Sequence, residues 1–509
     1  MTPDATETHD PTQSDAMTLD AIFAVNVRRQ PDALALIDPP DRSAVMDGLP
    51  QRLTYAEADR TVSLLAGKLA QLGLARGTVI GVQLPNTVES ILTILAVTRA
   101  GMTAAMLPLL WRRSEAVRAL ASAGAKALIV GGRTDDTDLA ELGLHLAADT
   151  FNIRFVCAFG ESVLDGVIAL EGLETTVAEE ADESAEASAT EVAVITFDAG
   201  TDGPIPVPHT HAELLIGGLA VVLEAGLPQQ AQLVSTMLPS SFTVLCAAMI
   251  PWLLCGGTLA LHQPFDASAL KAQLAEGPCA AVVVPGLLAG RIAEAGLLHG
   301  TSPASVLGIW RAPERHAASA VWRERTELLD LLAFGEHGHV VLRRRADGKP
   351  GSLHIGPITA PHDAPDAPTI MTLGRTPAGT LLLAGPMVPV GIPGADVGES
   401  ATSSENTYDT GYACTVDPRT QAVTLGGPLP GLVTVGGYRF AIGELQDTVG
   451  KVDPGGVLAV LPDLLAGEKL AGFAVDAAAV RHELARRGVS PLVVEAFRDG
   501  AAATAIPAA

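Results

Sequence analysis

Residues 53–107 read "LTYAEADRTVSLLAGKLAQLGLARGTVIGVQLPNTVESILTILAVTRAGMTAAML", and the order of elements in that stretch decides the fold class. Thr54 and Glu57 have capping-box spacing, in which each side chain accepts the other residue's backbone N–H at a helix start. Behind them Tyr55, Ala58, Val62, Leu65, Leu69 and Leu72 recur three or four apart, the period of a helix with one buried face. Gly73 ends the helix, and "VIGVQL" follows as a short buried strand stopped by the Pro85–Asn86 turn. A helix ("TVESILTILAVTRAG"), a strand ("MTAAML"), a helix near residues 114–123 and a strand ("ALIV") continue the pattern. Strand and helix in alternation imply an α/β fold with a largely parallel sheet, because parallel neighbours need a crossover, usually helical.

Composition narrows the class. The 509 residues suffice for a large domain and a smaller one. With 33 basic against 57 acidic residues, the net charge is −24. Such a surface repels polyanions, so neither nucleic acid nor an anionic membrane is an expected partner. The five cysteines are scattered without C-x-x-C spacing, as expected of reduced, buried thiols in a cytoplasmic protein. Residues 1–17 are polar and acidic, a disordered tail and not a signal peptide. "VLCAAMIPWLLCGGTLAL" is broken by Pro251 and a glycine pair and reads as core, not as a membrane span; Phe242 and Trp252 belong to that core. Residues 174–191, "ETTVAEEADESAEASATE", read as a mobile acidic loop.

Residues 195–215, "ITFDAGTDGPIPVPHTHAELL", have the outline of a phosphate-binding loop: strand, loop over 198–208, then a helix opened by Thr210 and Glu213 in capping-box spacing. A helix N-terminus attracts anions, yet the stretch holds two aspartates and no lysine or arginine. Gly200 and Gly203 therefore read as turn residues. His209 and His211 diverge at a helix start, and no metal site is expected. Downstream, "QLVSTML" and "GPCAAVVVPGLLAGRIAEAG" form a second α/β portion, residues 343–417 short strands and loops, and "GVLAVL", "LAGFAV" and "DAAAVRHELARRG" a small terminal α/β domain. In "FGEHGH", Glu336 and His337 are weak candidates for general acid–base work; the plainer reading is a solvated turn. "RRR" at 343–345 reads as an exposed strand end.

The order of these features resembles the adenylate-forming superfamily, the acyl-CoA synthetases and their relatives. The residues carrying the resemblance are the stretch from 53 through "LPLLWRRSE", then "LPSSF", "LLCGGTLAL", "FDASAL", "GPMVPVGI", "TYDTGY" and "TVGGYRFAIGELQ". It implies a large adenylate-forming-type domain over 18–428, with mixed, largely parallel sheets and helices. A hinge near 428–431 and a small C-terminal α/β domain over 432–509 complete the expected layout. It also implies a relic nucleotide site at Gly200, Thr201, Gly203, Phe334, Gly335 and Thr410.

Against the family's motifs, the charged positions are altered. The phosphate loop T-S-G-T-T-G-x-P-K resembles Asp198, Ala199, Gly200, Thr201, Asp202, Gly203, Pro204 and Ile205, with isoleucine in place of lysine. The Thr and Glu of Y-G-x-T-E are absent from Phe334–Gly335–Glu336–His337–Gly338, and Tyr412 replaces the ribose-binding aspartate of Y-x-T-G-D. Pro428 and Gly431 replace the Arg and Asp of G-R-x-x-D, and no lysine follows Lys469. A carboxylate about 6 Å from a phosphate charge costs roughly 3 kcal/mol at an effective dielectric near 20, so Asp198 and Asp202 are expected to repel a nucleotide. The expectation is a degenerate acyl-CoA synthetase-like protein unable to adenylate. It would keep an acyl, carboxylate or acyl-CoA binding role, or act as partner of an active enzyme. The alternative is an active AMP-forming carboxylate–CoA ligase, and only then would ATP, magnesium and CoA be its cofactors.

Overall fold

The computed structural model describes residues 17–134, 137–160, 164–170, 188–200, 203–301, 303–362, 364, 366–390, 406–463 and 466–498. The tail and most of the acidic loop expected at 174–191 lie outside them.

The helix Tyr55–Ala70 forms with its capping box intact: the Thr54 N–H donates to Glu57 at 2.8 Å, and the Glu57 N–H to the Thr54 hydroxyl at 3.2 Å. Its apolar stripe is buried as the spacing requires. The strands Val79–Gln83, Thr103–Met106, Ala127–Gly131 and Phe155–Phe159 are parallel neighbours in a seven-stranded sheet. Val192–Gly200 joins this sheet in parallel beside Thr103–Met106, and Gly203–Thr210 closes its edge in antiparallel pairing. An eight-stranded sheet is parallel through Leu34–Ile37, Thr258–Leu261, Gln232–Ser235, Cys279–Pro285, Ser305–Trp310 and Glu327–Ala333, with antiparallel strands at both edges. The helix Val88–Arg99, buried along nearly its whole length, shares one hydrophobic core with strands of both sheets. That placement explains why its sequence is apolar all round.

A six-stranded sheet spans residues 353–425, all antiparallel. After it, Leu432–Val435, Tyr438–Ala441, Val457–Asp463 and Gly467–Phe473 make a four-stranded sheet packed by the helices Ile442–Gly450 and Ala477–Arg486. This C-terminal unit has its own core, with Val433, Phe440, Val449, Leu484 and Phe497 at its centre. Among the described residues no helix is long and apolar enough to cross a membrane.

Candidate functional site: a loop hairpin closed by an arginine of the C-terminal unit

The glycines of the phosphate-loop outline lie on a β-hairpin. Val192–Gly200 pairs antiparallel with Gly203–Thr210 as far as Gly200 opposite Gly203; Thr201 and Asp202 lie outside the described residues. The expected passage from loop straight into helix is therefore corrected. An eight-residue strand intervenes before the helix His211–Ala225. Seven steps of about 3.3 Å put the helix start roughly 23 Å along the chain from Gly203, beyond the reach of its dipole. The physical reason is the "PIPVP" alternation. Pro204, Pro206 and Pro208 sit on an edge strand, where a missing N–H breaks no inner ladder bond. The helix end is already served by Thr210 and Glu213, whose reciprocal bonds measure 2.7 and 3.2 Å.

Asp198, at the inner end of the hairpin, is buried. Its Oδ1 lies 3.3 Å from a guanidinium nitrogen of Arg439 and accepts the Ala199 N–H at 2.8 Å. Its Oδ2 accepts the Glu336 N–H at 3.2 Å and stands 3.9 Å from His337 Nδ1. Burial pushes the carboxyl's pKa up, but the charge of Arg439, with smaller help from His337 and the Ala199 N–H, holds it below the ordinary value. Asp198 is thus an ionised, matched charge. The sequence-based expectation of an uncompensated repulsive carboxylate there is corrected: the compensating cation comes from Tyr438–Ala441, some 240 residues later in the chain.

Arg439 uses its other nitrogen to donate to the Arg311 carbonyl at 2.9 Å and to the Tyr412 hydroxyl at 3.1 Å. Tyr412, edge-on to Phe334 at 6.1 Å, is therefore already accepting from an arginine. Glu336 is fully buried: Oε1 is 2.5 Å from Arg311, and Oε2 accepts the Phe242 N–H at 2.7 Å. Burial raises its pKa against the pull of Arg311. His337 stacks flat on Tyr408 with centroids 3.5 Å apart, and burial lowers its pKa to about 4. Glu336 and His337 thus face different partners and do not form an acid–base pair, and the turn carrying them is buried, not solvated.

Gly335 belongs in this packing for a steric reason. Its φ is +63°, and a Cβ there would lie 1.9 Å from Asp198 Oδ2. Thr410 is buried; it donates to the Leu381 carbonyl at 2.8 Å and accepts the Tyr412 N–H at 3.2 Å, both contacts of strand packing. Gly203 lies beside a further cation, since a Cβ on it would be 2.9 Å from the guanidinium of Arg118; Arg118 is paired with Glu444 of the C-terminal unit. The two loop histidines part as expected: His209 Nε2 is 2.8 Å from the Thr196 hydroxyl, whereas His211 Nδ1 accepts the Leu19 N–H at 3.2 Å. Phe242 and Trp252 are both fully buried.

Between hairpin and C-terminal unit remains a cavity of about 140 Å³, lined by Trp111, Arg118, Asp198, Gly203, Arg439 and Glu444 among others. That falls short of the roughly 300–1,000 Å³ usual for small-molecule sites. Among the described residues, three arginines beside the hairpin are each engaged with a carboxylate: Arg439 with Asp198, Arg118 with Glu444 and Arg311 with Glu336. Sequence reasoning missed them because it looked for a lysine within the loop. Arg439 stood in the quoted "TVGGYRFAIGELQ", but only tertiary structure brings it to Asp198.

Comparison with known proteins agrees with this architecture. The human long-chain fatty acid transport protein 1 is 36% identical over 129 residues, which are 25% of this chain and 19% of that protein. A salicylyl-CoA synthase / salicylate adenylyltransferase from Streptomyces sp is 27% identical over 431 residues, 80% of this chain and 76% of that enzyme. The amide bond synthetase McbA from Marinactinospora thermotolerans superposes with a TM-score of 0.71 at 19% identity, covering 94% of each chain, a likeness of fold. The profile described as AMP-binding enzyme matches residues 23–357, about two thirds of the sequence, and the chain belongs to that adenylate-forming family.

Proposed function

We propose that this protein keeps the adenylate-forming fold without adenylating, and that it binds an organic carboxylate or acyl group, alone or as the partner of an active enzyme. The observation that carries the reading is the commitment of Arg118, Arg311 and Arg439, beside the loop hairpin, to carboxylates of the chain itself. A triphosphate there would need cations free to meet it. The residues present do not fit magnesium–ATP. Ile205 brings no charge, Glu336 is consumed by Arg311 and the Phe242 N–H, and the Tyr412 oxygen is taken up by Arg439. The relatives' names, a long-chain fatty acid transport protein and a salicylyl-CoA synthase, support carboxylic acids as the ligand class.

One observation favours the alternative, an AMP-forming carboxylate–CoA ligase using ATP, magnesium and CoA. Arg118 beside Gly203 has a side chain 39% exposed. An exposed ion pair is worth only about 0–1 kcal/mol, so Arg118 could exchange Glu444 for an anion. Calorimetry with magnesium–ATP, joined to a pyrophosphate-exchange assay over a panel of fatty and aromatic acids, separates the two. The expected result is no heat with ATP and no exchange. Micromolar ATP binding or any acid-dependent exchange would overturn the proposal.

A further inference from the structure

The eight-stranded sheet ends at the strand His339–Arg343, whose one neighbour is Glu327–Ala333. The hairpin joining the two closes with the Phe334 N–H donating to the Gly338 carbonyl at 2.9 Å, and the register runs on from there without a shift. Bonded and unbonded positions alternate in an antiparallel pair. Counting on by two from Gly338, Val340 and Leu342 bond inward, while the backbone groups of Val341 and Arg343 point away from the sheet. The Arg343 carbonyl bears this out: a Cβ on Gly351, across the gap, would lie 2.6 Å from it. Gly351 thus closes that end. Among the described residues, the N–H and C=O of Val341 and the N–H of Arg343 have no hydrogen-bond partner.

A groove of about 580 Å³ runs along this edge. A cavity over one face of a strand touches alternate residues. This one touches Val340 through Arg345 without a break, so it meets the strand edge-on. Its other side includes Gly356–Thr359, the terminal strand of the six-stranded sheet, and Ala220 and Glu224 of the helix His211–Ala225 also line it. Sheet edges are usually covered or plugged. On the C-terminal sheet, for example, the Gln446 side chain accepts the outward Leu458 N–H at 2.8 Å and donates to the Gly456 carbonyl at 2.7 Å. Among the described residues no side chain does this for Val341. An open edge beside a groove is a template for an added strand.

Charge selects the occupant. The whole chain carries −24, yet the groove is lined by three arginines and two histidines against one carboxylate, Glu224. The arginines, adjacent in sequence, part in the fold. Arg344 is buried against Asp330 at 2.5 Å, and Arg343 is shared between Glu224 and Glu327. Glu224 also accepts the His362 N–H at 2.5 Å, so its charge is matched within the fold. Arg345 has a side chain 58% exposed and stands 3.7 Å from Asp347, which Lys349 shares at 3.3 Å. So exposed a pair is easily exchanged.

We propose that this groove takes an extended peptide of a partner protein as an added strand, bonded to Val341 and Arg343 and carrying a carboxylate to Arg345. The half-buried Leu342, Ile355 and Ile358 give apolar contacts for alternate side chains of the peptide. The proposal holds whether or not the chain adenylates or binds a small acid.

The test is fluorescence polarisation of the full chain with the labelled peptide Ac-TVEVEVT, and with its lysine counterpart Ac-TVKVKVT. Two further versions of the first peptide are N-methylated, one at its valines and one at its glutamates; a strand turns just one of these sets of amides toward its neighbour. Val341→Pro removes the outward N–H and breaks no inward bond. Arg345→Glu reverses the charge, and Arg52→Glu does the same at the opposite edge of the sheet. Expected is saturable binding of the glutamate peptide, at least tenfold weaker for the lysine peptide, for one methylated version, and for Val341→Pro and Arg345→Glu, but unchanged for Arg52→Glu. Circular dichroism confirms folding, and should Val341→Pro not fold, Arg345→Glu and the methylated pair decide. Absence of binding by the glutamate peptide would overturn the proposal. So would equal binding of both methylated versions, which marks a charge contact without an added strand, or binding that Arg345→Glu leaves unaltered.

Discussion

Replacing Arg439 by methionine gives the most direct test of the hairpin's electrostatics. The substitution keeps an apolar side chain of similar reach but removes the cation from Asp198, Tyr412 and the Arg311 carbonyl. Removing one partner of a buried pair generally costs about 3–5 kcal/mol, because the other charge stays buried. Asp198 keeps two backbone donors, the Ala199 and Glu336 N–H groups at 2.8 and 3.2 Å, so the loss should fall near the low end, about 3 kcal/mol. The C-terminal unit has its own core, so this loss should appear first as undocking. Faster hydrogen exchange at Tyr438–Ala441 and in the hairpin, and faster cleavage between residues 425 and 432, would report it. The double variant with Asp198→Asn should recover more than half of the loss. Because the folded pKa of Asp198 lies below its unfolded value, the pair's stabilisation is full above about pH 4 and is lost as pH falls through the folded value. The gap between parent and variant should therefore be complete at pH 7 and narrow on acidification below 4. An Arg439→Met protein within about 0.5 kcal/mol of the parent at pH 7, with unchanged exchange, would refute the argument.

Burial lowers the pKa of His209 to about 3 and of His339 to about 4. The unfolded chain thus takes up their protons near pH 6.5 while the fold refuses them, and urea stability should drop between pH 6.5 and 4 by up to about 1.4 kcal/mol per pH unit for each. Asp38 opposes this, since burial and Glu89 raise its pKa to about 6; the clean readout is His339→Phe, which should lower the slope by close to one proton. Gly335→Ala should destabilise by about 1–3 kcal/mol, through its positive φ and the encounter with Asp198, and thermal melting measures it. Trp252→Ala removes a fully buried ring stacked on Tyr55 at 6.1 Å and bonded to the Gly257 carbonyl at 3.1 Å, and should cost about 3–5 kcal/mol in a urea titration.

The elements legible in the sequence are those with local causes. The Thr54 and Thr210 capping boxes, the stripe through Tyr55, Val62 and Leu69, and the left-handed Gly73 at φ +66° are fixed by neighbours a few residues away. The hairpin after Gly200 was hidden because "PIPVP" reads locally as a loop; only its edge position makes a proline-rich strand tolerable. The charge balance of the site was less legible still. Asp198, Arg439, Glu336 and Arg311 come from four separate segments, and the matching of their charges is a tertiary fact. Substitutions at single motif positions could be read one by one, but not the arginines that arrive from elsewhere.

The alternation of Pro204, Pro206 and Pro208 has a consequence for the chain in the company of its own copies. Along that rim the residues left to bond inward are Ile205 and Val207, so the outward side presents carbonyls and pyrrolidine rings with no N–H to offer. A second strand approaching the seven-stranded sheet along this edge would find no ladder to extend, whether it came from another molecule or from a partly folded segment of the same one. The residues that disguise the strand in the sequence therefore also guard that edge of the sheet against edge-to-edge pairing.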